Sequence, residues 1–233
     1  PFFYHGRHRG AEFWMNDQKD DYYRRHLMIH EATHCFMTIV PTVNAPVWYL
    51  EGMAELFGTH VIDERGQATF RVMPHNKDSF RGLGRVTLLQ TEVGVERALS
   101  ISQVMNLKPN EYLKNEAYAW SWLLCKFFDT HPQYARRFNK LGRALHSTPF
   151  SPAFREAYSR ELTALMSGWP LFTRNLQDGY QNEQAGITFR PGTPLAANAS
   201  RSKIEIKAAA GWQASGVRVE KGRIYEISAA GRF

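Results

Sequence analysis

The stretch MIHEATHCF, residues 28–36, sets two histidines four positions apart, with a glutamate directly after the first. Residues i and i+4 share one face of an α-helix, one turn apart. A helix here lets His30 and His34 aim imidazole nitrogens at one metal ion. Glu31 then projects beside them, within reach of a metal-bound water rather than of the metal. Asp20 and Asp21 offer a cap and a negative first turn, and Pro41 stops the run. A helix is therefore predicted from about Tyr22 to about Ile39. His26 lies a further turn upstream and has no carboxylate next to it. Three histidines on one face span about 12 Å of helix rise, too far for one ion. His26 is therefore expected to be a surface or packing histidine.

A two-histidine helix needs a third protein ligand and an open position for water. The segment PVWYLEGMAELFG, residues 46–58, reads as the next helix, with Pro46 in its first turn and Gly58 as its stop. Glu51 lies on it, 17 residues after His34. Glu55 follows one turn later on the same face, where it can accept the second ring N–H of a ligand histidine and fix its tautomer. Gly52 beside the ligand is expected to let these two helices approach closely. Taken together, the two segments point to a Zn²⁺ centre of His30, His34 and Glu51, with Glu31 as general base.

The rest of the chain suits an α+β fold. Composition is 43% hydrophobic and 13% aromatic over 233 residues, enough to bury a core. Phe13 and Met15 alternate as in a short strand. The segment HVIDERGQATFRVM looks like a hairpin around Arg65–Gly66, residues 76–99 are ambiguous, and Ser100 caps a helix. NEAYAWSWLLCKFF is apolar on most sides and should be buried. Two or three more helices follow before the texture changes near Asp178. A first domain, carrying the metal centre, is expected over residues 1–180. Residues 181–233 are expected to form a β-rich module, the start of a β-sandwich with a turn at EKG, whose pattern breaks off at Phe233. A chain opening at Pro1 is expected to be a piece of a longer precursor.

HEATH followed by WYLEGMAE resembles the gluzincin metallopeptidases, which include thermolysin-like enzymes, M1-type aminopeptidases and compact peptidase-MA-like bacterial domains. The resemblance covers about residues 9–178 in outline, with only the two motifs specific. It implies a mainly helical domain with a small N-terminal sheet remnant, and Glu51 and Glu55 hold the places of the third ligand and of the residue that orients a ligand. The M1-type enzymes also place a tyrosine on a buried helix, where it donates to the tetrahedral intermediate. Tyr118 holds the corresponding place, with a core tyrosine as the other reading. The motif G-x-M-E-N of the M1 exopeptidases is absent, so the resemblance implies an endopeptidase acting on peptides or proteins. Residues 9–15 would be the sheet edge on which an extended substrate adds.

Net charge is +7. Arg and Lys are scattered and no nucleic-acid motif accompanies them, so the charge is expected to solubilise the surface rather than bind DNA or RNA. No apolar run reaches the ~20 residues of a membrane span. The tandem of peptidase and β-module suits a secreted or periplasmic protein. In that setting Cys35 and Cys125 could pair; otherwise they are two buried thiols. The rival function is a non-catalytic binding protein with a structural metal site and a β-sandwich recognition module. An intact Glu31 argues against it, because a binder has no use for a base.

Overall fold

The computed structural model describes residues 6–39, 44–75, 84–144, 150–187, 191–195, 203–207 and 212–231. Strands β1 (Gly6–Arg9) and β2 (Glu12–Met15) form an antiparallel hairpin in which His8 faces Phe13 and Gly6 faces Met15. Sequence alternation indicates β2; β1, all polar or glycine, it does not. The Asp20 carboxylate then accepts from the Tyr23 N–H at 2.7 Å, the bond of an N-cap to the third helical residue. It opens α1 (Asp21–Ile39), and α2 (Val47–Gly58) follows with Pro46 at its N-cap.

The hairpin expected next is present as β3 (His60–Ile62) and β4 (Ala68–Phe70). Asp63 ties its turn by accepting from the N–H groups of Arg65 and Gln67, and Gly66 supplies the left-handed residue at φ +77°. The ambiguous region yields α3 (Arg85–Gly94), with residues 76–83 outside the described part. Ser100 and Gln103 cap α4 (Ile101–Met105) reciprocally. A short 3₁₀ turn over Pro109–Leu113 leads into α5 (Asn115–Thr130).

Every residue of α5 from Ala119 to Thr130 is buried, as its apolar circumference requires. It is the axis of the molecule, with α2, α3, α4 and α6 (Ala135–Ala144) packed around it. Trp120, Trp122, Leu123, Leu124 and Phe127 fill the core with Trp48, Leu56, Leu89, Tyr134, Phe138 and Trp169. Helices α7 (Phe150–Tyr158), α8 (Leu162–Arg174) and the short α9 (Asn182–Ala185) complete the body.

Gly52 does allow a close helix approach, but to α5 rather than to α1. A Cβ there would stand 2.5 Å from the Ser121 carbonyl oxygen and 2.6 Å from the Cys125 sulfur. Helix α2 lies between α1 and α5, so the residue after Glu51 points away from the ligand face. The glycine that meets α1 is Gly58, where a Cβ would stand 2.6 Å from the His26 ring.

Among the described residues the fold is mainly helical, 53% helix with small two-stranded sheets, which suits an α+β class. Beyond Gly186, β5 (Thr193–Pro194) pairs in parallel with β6 (Val217–Arg218), and Gln213 sits in an isolated bridge. A turn forms over EKG, with the Arg223 N–H donating to the Glu220 carbonyl at 3.3 Å, but the described residues beside it do not pair with each other. Ile224 and Ile227 are 100% and 92% exposed. Alternation without a covering layer gives no burial to offset the entropy of ordering a sheet. No helix among the described residues is long and apolar enough to cross a membrane.

Candidate metal centre

Helix α1 presents His30 and His34 toward α2, and α2 presents Glu51 between them. His30 Nε2 and His34 Nε2 are 3.1 Å apart, and Glu51 Oε2 lies 3.3 Å from the first and 3.2 Å from the second. Tetrahedral coordination at bond lengths of about 2.0–2.2 Å sets ligand atoms about 3.3–3.5 Å apart. The triangle is within a few tenths of an ångström of that. Two imidazole nitrogens and a carboxylate oxygen converging on one point form an arrangement that a cation satisfies. Both histidines are buried, and Glu51 is the most open of the three.

The second nitrogen of His30 is also engaged. Its Nδ1 stands 3.2 Å from Glu55 Oε1. A donor bond there leaves Nε2 bare for a metal, as ligand histidines require. The other Glu55 oxygen accepts from His26 Nε2 at 3.1 Å and meets the Arg85 guanidinium. His26 is therefore a packing histidine and not a surface one, with Nδ1 buried and unpartnered among the described residues. His26, His30 and Glu55 also lie close enough to hold an ion. The Arg85 charge already on Glu55 stands against a second cation in that group.

Burial disfavours the charged form of His30, yet the carboxylates of Glu51 and Glu55 outweigh it and raise its pKa to about 10. Burial likewise opposes ionisation of Glu51, and the two imidazoles hold it down at about 2. For Glu55, burial is overcome by Arg85 and His26, and its pKa falls well below the ordinary value. Burial pushes His26 below its usual pKa despite Glu55, so that contact is a hydrogen bond from a neutral ring. The pocket as a whole favours positive charge at the ligand triangle.

Glu31 is buried and is not one of the three converging groups. The β1–β2 hairpin covers it. His8 Nδ1 stands 3.4 Å from Glu31 Oε2, and the His8 ring stacks on His34 with centroids 4.7 Å apart. The Glu31 carboxylate is thus one ring away from a ligand. A Cβ on Gly6 would stand 2.6 Å from Glu31 Oε1, so a side chain there would push the Glu31 carboxylate aside. Sequence reasoning misses both residues. The available signal is their spacing, two apart in GRHRG ahead of the aromatic strand, which puts them on one strand face.

Tyr118 is half-buried, with its ring centroid 6.2 Å from that of His30, and it packs edge-on to Tyr112 at 5.2 Å. Burial, and then Glu51, Glu55 and Glu31, push its phenol above the ordinary value. The group stays a donor, and none of the described residues takes its hydroxyl as a hydrogen-bond partner. His60 stacks on Tyr22 and His131 on Tyr134, away from the triangle. Cys35 and Cys125 are both free and buried. Cys35 donates to the Glu12 carbonyl at 3.5 Å and Cys125 abuts Gly52, so they belong to different interfaces and the bridge is not formed.

The structure thus brings His30, His34 and Glu51 to one point, with Glu55 behind His30 and Tyr118 beside it, and places Glu31 next to the cluster through His8. No protein-family profile, curated protein or solved structure matches the chain.

Proposed function

We propose that the chain is a zinc-dependent hydrolase of peptide bonds, an endopeptidase of gluzincin type. The observation that carries this reading is the pairing of the ligand triangle with Glu31, a buried carboxylate that touches His8 rather than any ligand of the triangle. A structural metal site has no use for it. The donor set of two imidazoles and one carboxylate suits zinc and leaves one position open.

His30, His34 and Glu51 would hold the zinc, which would supply a Lewis acid and lower the pKa of a coordinated water toward ~7. Around it the chain's own groups have distinct tasks. Glu31 accepts a proton at its carboxylate and returns it to the leaving amine. His8 holds that carboxylate by its hydrogen bond. Glu55 fixes the His30 tautomer. Tyr118 donates its hydroxyl to the developing oxyanion. The β1–β2 hairpin stands beside the site, where an extended peptide can add along a strand edge.

The test is hydrolysis of casein or a quenched peptide by the purified chain with one equivalent of zinc. Glu31→Gln should keep the zinc and abolish turnover, since the amide keeps the shape but takes no proton. Undiminished turnover in that variant would remove Glu31 as the base.

A further inference from the structure

Arg85 is a conspicuous charge with no part in the chemistry above. Its side chain is only 10% exposed, and its Nε is buried without a partner among the described residues. It is the first residue of α3, in the turn where the helix dipole disfavours a cation, and the helix lacks a side-chain N-cap. A guanidinium desolvated at that position has an unfavourable local setting. What it gains is Glu55, whose Oε2 it shares with His26.

Oε2 is thereby held by two donors on one side, and Oε1 is left to face His30 Nδ1 at 3.2 Å. Rotation of the carboxylate would break the contacts of Oε2 with its two donors. The imidazole in turn cannot rotate without losing Oε1, so its Nε2 stays directed at His34 Nε2 and Glu51 Oε2. We infer that Arg85 is a positioning residue of the metal centre: it acts through Glu55 to hold His30 in the orientation that binds the ion. This rests on the metal-centre reading but not on any hydrolytic activity.

The experiment measures zinc affinity of the full chain by competition with a chromophoric chelator. Arg85→Met should weaken binding by about 10- to 100-fold, the usual size when the partner of a ligand histidine is disturbed. Arg85→Lys keeps the charge but loses the planar fork; it should fall between the two, and it decides the matter if the methionine variant does not fold. In a Glu55→Gln background, Arg85→Met should add little, because the residue through which it acts is already altered. A merely structural arginine would lower the melting temperature and leave the dissociation constant of the folded protein within twofold of the parent. That result overturns the assignment, as would losses that add fully in the double variant. No zinc binding by the parent chain would remove the metal centre itself, and this inference with it.

Discussion

Glu51 and Glu55 are one turn apart on α2 and use their oxygens differently. Glu51 reaches both ligand imidazoles with one oxygen, whereas Glu55 divides its two among His30, His26 and Arg85. The first pattern suits a ligand and the second a clamp. His34→Ala removes one corner of the triangle and should abolish stoichiometric zinc; elemental analysis that still found one zinc per chain would refute the ligand set. Tyr118→Phe keeps the ring against Tyr112 and deletes only the donor. It should lower kcat by about 100- to 1,000-fold with KM and zinc content little changed; full kcat would make the hydroxyl an ordinary core group. Away from the site, burial lowers the pKa of His131 to about 4. Between that value and the usual ~6.5 the unfolded chain binds the extra proton, so stability is full above ~6.5 and declines as pH falls through 4. His131→Gln should therefore lose less stability than the parent between about pH 7 and about pH 5, read as the change in denaturant midpoint. An identical decline would show that this imidazole takes up its proton in the fold as readily as in the unfolded chain.

Elements whose identity lies in local pattern are legible in the sequence. The ligand helix follows from the four-residue histidine spacing and Asp20, and α5 from its apolar circumference. What escapes depends on partners distant in sequence. Strand β1 has no apolar alternation; it exists because β2 pairs with it and Gly6 fits against Glu31. Arg85 lies 30 residues from Glu55 in a stretch broken by glycines, and nothing local marks it. Gly52 reads as a close-approach residue, but its expected neighbour, α1, is the wrong one, since spacing on one helix does not say which of two flanking helices is nearer. Its real contact is backbone, which cannot swing aside. Gly52→Ala should cost about 1–3 kcal/mol by overpacking the α2–α5 crossing. Gly94, where an added Cβ would meet nothing within 4 Å, should tolerate alanine or gain up to about 1 kcal/mol. Chemical denaturation of both variants checks the contrast.

At the scale of the whole molecule, a ligand that binds only the folded chain adds its binding energy to stability. Zinc at about 100 times its dissociation constant should contribute about 2.7 kcal/mol. For a chain of this length that is roughly 5–10 °C in melting temperature. The shift should vanish in His34→Ala; a shift that persisted there would place the ion elsewhere.

The ligand triangle is drawn from a short span of chain, while the wall behind it is not. His30 and Glu51 are 21 positions apart, and Tyr118 is 67 positions beyond Glu51. Closing the longer loop costs about 1 kcal/mol more in chain entropy, and contacts nearer in sequence form sooner. Pairing of α1 with α2 alone already assembles all three donors. An ion present during refolding should therefore meet its ligands before the tyrosine wall docks, so that the body would close around a loaded centre. Zinc supplied at the start of refolding should be captured faster than zinc offered to the finished fold, where both ligand histidines are already buried.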